Sequence, residues 1–144
     1  MKKVEEIVKE LNLGIKKFDQ STRTAAEAAA ALGCEVAQIA KSLIFRDEND
    51  NPVLIIASGV NRVNEQNFGK KIFKADADFV RSKTGYVIGG VPPFGFENKI
   101  ETYIDKDLLK FEEVWAAAGT PNTVFKIKTE KLIEKSGAKV DTIG

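Results

Sequence analysis

The stretch that decides the fold is Ile39-Ala40-Lys41-Ser42-Leu43-Ile44-Phe45, read together with Val53-Leu54-Ile55-Ile56-Ala57-Ser58. The two apolar runs flank Arg46–Pro52, a segment rich in Asp and Asn, and this arrangement predicts a β-hairpin with a polar loop. Strand alternation places Lys41 on the face of Ile39, Leu43 and Phe45, with Ala40, Ser42 and Ile44 opposite. A lysine inside a two-sided apolar strand is costly to desolvate unless its ammonium reaches water, a carboxylate or a ligand. Two readings therefore stand. Either the stem covers apolar surface while the head snorkels to water, or the head anchors a ligand.

Upstream of the hairpin, Thr24 with Glu27 fits a capping box, Ala25–Leu32 is strongly helix-forming, and Gly33 supplies a C-terminal left-handed position. The small alanine face of this helix suits close packing on a sheet. Val4, Ile7, Val8 and Leu11 make one apolar stripe on a first helix, with Gly14 as its stop. Downstream, the pattern predicts a short helix from Asn64 to Phe73 and another over Asp76–Lys83, closed by Gly85. A strand is expected at Tyr86–Ile88, and further strands at Glu101–Ile104, Glu113–Ala116 and Thr123–Ile127. Thr129 is expected to cap a last helix through Lys135, with Gly137 after it. Short strands mixed with scattered helices predict an α+β fold around a curled, mixed sheet.

At 144 residues the chain suits a single domain over 1–144, large enough to bury a real core. It contains 43% hydrophobic and 30% charged residues, ordinary values for a soluble protein. No apolar run approaches a membrane span and the glutamate-rich start is no signal peptide, so a cytoplasmic protein with no membrane partner is expected. The formal net charge is +1, which is unlike the broad basic face of a duplex-DNA binder. Histidine is absent and Cys34 is the single cysteine. Together these exclude histidine-based catalytic pairs and cysteine or histidine metal sites, and no metal or other cofactor is expected. Cys34, just past a helix C-terminus, reads as packing, because the dipole there disfavours a thiolate.

Two loops could carry chemistry. Gly89-Gly90-Val91-Pro92-Pro93-Phe94-Gly95 pairs glycines, which let a ligand approach the backbone, with prolines that stiffen the loop. Its amides suit a carbonyl or carboxylate oxygen; a rigid turn is the plainer use. In Ala118-Gly119-Thr120-Pro121-Asn122-Thr123, Asn122 offers a donor and an acceptor for a water or substrate amine, or serves as a turn residue. Arg62, Lys70, Lys71 and Lys74 suit either phosphates or a solvated face.

Taken in order, Ile39–Phe45, Gly59-Val60-Asn61-Arg62-Val63, Gly89–Gly95 and Gly119–Thr123 resemble the YbaK-type family. That family comprises free-standing aminoacyl-tRNA deacylases and the editing insertion of bacterial prolyl-tRNA synthetases. The resemblance covers most of the chain, and its most specific elements are the strand lysine and the Gly-x-x-x-Pro loop Gly89–Pro93. It implies a single α+β domain with a twisted, barrel-like mixed sheet surrounded by helices. The activity implied is hydrolysis of the ester joining a wrong amino acid to the 3′-terminal adenosine of tRNA. By the same resemblance Lys41 matches the essential lysine, and Gly89, Gly90, Val91, Pro92 and Pro93 match the loop that holds the aminoacyl end. Gly119, Thr120 and Asn122 match a wall of that pocket. Some relatives carry a histidine near this wall, where the present chain has Asn122. The partner implied is a charged tRNA acceptor end, with an aminoacyl-tRNA synthetase as a further candidate.

The residues are chemically compatible with this activity. An aminoacyl ester is already activated, so its hydrolysis asks for orientation and oxyanion support more than for a strong base. Two other function classes compete: a module that binds an aminoacyl-tRNA end or aminoacyl nucleotide without cleaving it, and an interaction domain of a translation complex.

Overall fold

The computed structural model describes residues 3–19, 24–67 and 70–143. Within them the elements are α1 (Val4–Glu10), β1 (Ile15–Lys17), α2 (Ala25–Leu32), β2 (Ile39–Asp47), β3 (Pro52–Ser58), β4 (Ile72–Lys74), α3 (Ala77–Thr84), β5 (Glu101–Asp105), β6 (Glu113–Ala117), β7 (Thr123–Lys128), α4 (Thr129–Ser136) and β8 (Lys139–Asp141). All strands join one eight-stranded mixed sheet in the order β1-β7-β6-β2-β3-β5-β8, with β4 attached to β2. The predicted α+β class is the observed one.

The hairpin organises the sheet. β2 and β3 run antiparallel from Ala40 opposite Ser58 to Arg46 opposite Pro52. β3 is buried on both faces, which is why Val53–Ala57 is a continuous apolar run rather than an alternating one. Leu54 and Ile56 face the main core, where they meet Val4 and Val8 of α1, Val80 of α3 and Leu132 of α4. Val53, Ile55 and Ala57 face a second core with Phe45, Ile72 and Ile143. A third, small cluster holds α2 close to the sheet through Ala28, Ala29 and Ile39, with Trp115 and Cys34 against it.

The far edge of β2 is shared. β6 pairs with it in parallel at Ile39 and Ala40, and β4 pairs antiparallel at Phe45, Arg46 and Asp47. Neither reaches the residues between, so the sheet has a gap alongside Lys41–Ile44.

The local signals held best where a side chain or a glycine set a helix end. Thr24 accepts the Glu27 amide at the start of α2, Asp76 accepts that of Phe79 at the start of α3, and Gly33, Gly85 and Gly137 end their helices left-handed. Other expectations are corrected. The first helix stops before Gly14: Leu11 caps it, and Asn12 takes the left-handed conformation. Thr129 begins α4 rather than capping it, because its hydroxyl donates to Phe111 O at 2.7 Å. No helix spans Asn64–Phe73; a short 3-10 turn at Glu65–Asn67 precedes β4, and residues 68 and 69 lie outside the described residues. Tyr86–Ile88 is not a strand but the bend leading into the glycine loop.

Candidate functional site

The gap beside β2 opens into a cavity of about 360 Å³. Residues 39–45 of β2 form its floor. Ala25 and Ala28 of α2 and Trp115, Ala116 and Ala117 of β6 wall one side; Lys74, Ala75 and Val80 wall another. Ile88, Gly89 and Val91 come from the glycine loop, and Pro121, Thr123 and Val124 from the loop before β7. The lining is mostly apolar. Its only charged members among the described residues are Lys41 and Lys74, and no acidic side chain lines it.

Lys41 is half-buried at this floor. Its ammonium has no hydrogen bond or ion pair among the described residues. Burial, and after it the nearby Arg62 guanidinium, push its pKa below the ordinary lysine value, while Asp105 opposes them. The register explains Asp105. Lys41 pairs with Ala57, and Asp105, one residue past the Ile56–Ile104 pair, follows on the same face with only the small Ala57 side chain between. The Asp105 carboxylate is buried at 1% exposure. It accepts the amides of Ser58 and Asp107, each at 3.0 Å, and the Asn61 side-chain amide at 2.8 Å. The segment Gly59–Val63 thus contributes a clamp, Asn61, which also reaches Asp107 at 2.8 Å.

The glycine loop divides into two parts. Gly89 and Val91 line the cavity, whereas Gly90, Pro92 and Pro93 are buried behind that wall. A Cβ on Gly90 would lie 2.8 Å from Thr120 Cα and 2.9 Å from Thr120 C. Only glycine lets the two loops touch backbone to backbone. The Gly90 N–H donates to Val87 O at 2.9 Å, a hydrogen bond within the bend.

The second loop behaves similarly. Gly119, Thr120 and Asn122 do not line the cavity; their neighbours Pro121 and Thr123 do. Both ends of the Asn122 amide are engaged, donating to Phe18 O at 3.2 Å and accepting from the Thr120 hydroxyl at 2.9 Å. Asn122 ties the loop to the segment after β1.

Of the four basic residues, Lys70 is committed elsewhere. It pairs with Glu101 at 3.1 Å and Asp47 at 3.4 Å. Lys74 lines the cavity, Arg62 is exposed near Lys41, and Lys71 is exposed away from it. Cys34 packs as expected, its thiol pKa raised mainly by burial. The sequence reading missed Ser42, Trp115 and Ile88 as lining residues. The one signal for Ser42 was its place beside Lys41, and its hydroxyl is buried with no partner among the described residues.

Known proteins resemble this chain in sequence and in fold. The profile of the aminoacyl-tRNA editing domain matches residues 19–135. The chain is 37% identical over 130 residues to YwhH of Bacillus subtilis (strain 168), a protein named as uncharacterized, covering 88% of this chain and 83% of that one. It is 22% identical over 115 residues to EbsC of Enterococcus faecalis, named as a proposed Cys-tRNA(Pro)/Cys-tRNA(Cys) deacylase, covering 76% and 70%. A crystal structure described as a proposed trans-editing enzyme for prolyl tRNA synthetase superposes with a TM-score of 0.86 at 38% identity, covering 97% of this chain and 95% of that one. By sequence profile and by fold, this chain belongs to the aminoacyl-tRNA editing domain family.

Proposed function

We propose that the chain is a trans-editing deacylase that hydrolyses the ester between a wrongly attached amino acid and the 3′-terminal adenosine of tRNA. The observation that carries this reading is an apolar cavity that, among the described residues, holds an unpaired, half-buried lysine, with a second lysine and no acid in its lining. Such a cavity attracts a polyanionic RNA end and accepts a small uncharged or apolar side chain. Lys41 anchors the terminal phosphate, the ribose or the ester carbonyl by a charge-assisted hydrogen bond. Water attacks the carbonyl carbon, with the neighbouring ribose hydroxyl as its proton relay. The bond from that carbon to the ribose oxygen breaks, the ribose oxygen takes a proton, and a free amino acid leaves with the tRNA hydroxyl restored. Orientation of ester and water supplies the rate, because the ester is already reactive.

The test is single-turnover hydrolysis over a panel of correctly and wrongly charged tRNAs. The expected result is hydrolysis of one or a few mischarged species well above the spontaneous rate. Binding of charged tRNA with no turnover would make this a recognition module instead; the engaged Gly90 amide is the observation that favours that second reading. Neither binding nor turnover would overturn both.

A further inference from the structure

The cavity floor is an incompletely paired strand edge. Ile39 O accepts the Gly59 amide at 2.9 Å, and the Asp47 amide donates to Asn51 O at 2.9 Å. In an antiparallel ladder the N–H and C=O of one residue point to the same edge, and the edge alternates along the strand. Both ends of β2 therefore turn its odd-numbered residues toward β3 and its even-numbered residues toward the other edge. There β6 covers Ala40 and β4 covers Arg46. Among the described residues, the register leaves the N–H and C=O of Ser42 and the N–H of Ile44 without a strand partner, at two residues that line the cavity. The Ser42 hydroxyl is also buried and unpartnered among the described residues. Main-chain donors and acceptors that no strand takes up seek another partner, so this short stretch of cavity wall is free to receive a ligand's polar groups.

We propose that this open edge of β2 binds the adenine ring of the terminal nucleotide, an inference that rests on the deacylase reading above. The Ser42 C=O accepts from the exocyclic amine, and the Ile44 N–H donates to the adjacent ring nitrogen. Adenine offers that donor beside an acceptor on both its Watson–Crick and Hoogsteen edges. A strand edge offers the complement from residues i and i+2, the same groups that capture an added peptide strand. Ile44, Val80, Ile88 and Val91 are the apolar surface available to the faces of the ring. The competing occupant is the α-ammonium of the amino acid. Among the described residues no acidic side chain lines the cavity and two lysines do, so a cation there would be unpaired and repelled. A neutral heterocycle escapes that cost, and its nucleotide carries the phosphate the lysines attract.

The test titrates isotope-labelled protein, followed by amide NMR, with adenosine 5′-monophosphate and with purine riboside 5′-monophosphate, which lacks the exocyclic amine. Adenylate should move the Ser42 and Ile44 amide signals, and the purine riboside nucleotide should bind at least about tenfold more weakly. Equal binding of the two, or an adenylate that leaves both amides unmoved, overturns the proposal. So does movement of those amides by alanine methyl ester alone, which would assign the edge to the amino group. Hydrolysis is read separately on charged acceptor stems ending in adenosine or in purine riboside. Equal cleavage of both ends the adenine contact but leaves the deacylase reading standing. Cleavage of neither ends the deacylase reading, and the amide signals still decide the adenine contact.

Discussion

At the scale of the residue, Lys41 is where the two readings of the sequence part. A snorkelling lysine ends in bulk water or on a carboxylate, whereas this ammonium stands half-buried at a cavity floor with no ion pair among the described residues. Removing it takes away an incompletely solvated charge and leaves Ala57 and Asp105 to repack or rehydrate. Lys41→Ala is therefore expected to stay folded, with a thermal midpoint no lower than that of the parent. A charge-assisted hydrogen bond in such a site is worth about 1.5–3 kcal/mol, so single-turnover deacylation should fall at least about tenfold. Lys41→Arg should recover only part of this, since a planar guanidinium does not replace a compact ammonium. A folded Lys41→Ala with full activity would return Lys41 to the snorkelling reading. The position of Lys41 on a strand was legible from its neighbours; its isolation was not, because that depends on where β4 and β6 stop.

At the scale of the element, the two loops behind the cavity act as one wall. Gly90 meets the Thr120 backbone, and backbone cannot swing aside as a long side chain can. Gly90→Ala is expected to cost about 1–3 kcal/mol in chemical denaturation through overpacking. Gly14→Ala, where an added Cβ meets nothing within 4 Å, should be close to neutral. Equal effects at the two positions would mean that the loops do not need this contact. Glycine and proline advertised a stiff loop in the sequence, but not what it stiffens against. The missed strands have a related cause. β1, β4 and β8 are three residues each, too short for alternation to register, and they exist because a partner strand offers free hydrogen-bonding groups. Tyr86–Ile88 had strand-like composition, yet Tyr86 is spent otherwise. Its hydroxyl donates to Gly95 O at 3.1 Å and its ring stands edge-on to Phe96.

At the scale of the whole molecule, charge ties the loop end of the hairpin to β5 through Lys70. The Asn51 amide first, then those of Asn49 and the Lys70 ammonium, hold the Asp47 carboxyl below its ordinary pKa against burial. The Tyr103 hydroxyl, donating at 2.7 Å, and Lys70 do the same for Glu101. Burial pushes Lys70 down, but Glu101 and Asp47 together hold it above the ordinary lysine value. Burial and the Glu101 carboxylate push Tyr103 up to about 12. In acid the unfolded chain takes up protons before the folded one, so stability present above the carboxylate range declines as pH falls through it. In alkali the unfolded tyrosine ionises near pH ~10 while Tyr103 does not, so stability also falls above that point. Thermal midpoints across this range should form a plateau with two shoulders, and Glu101→Gln should weaken both; each effect is about 1 kcal/mol or less, because the network is partly exposed. An ultraviolet titration should show both tyrosines ionising above the free value, Tyr86 through burial and Tyr103 at about 12, and ordinary titration of both would refute the assignment. Composition alone settled the absence of histidine chemistry, and the sequence by itself determined the hairpin, the helix between Thr24 and Gly33 and the lysine in its strand, since each of these depends on residues within a few positions of one another. Only the tertiary structure decided that, among the described residues, the middle of β2 has no strand partner on its outer edge, that Gly90 rests on Thr120, and that the Asn122 amide bonds Phe18 O. Those are relations between segments far apart in the chain, settled when the sheet's ladders and loops compete for the same hydrogen-bonding groups.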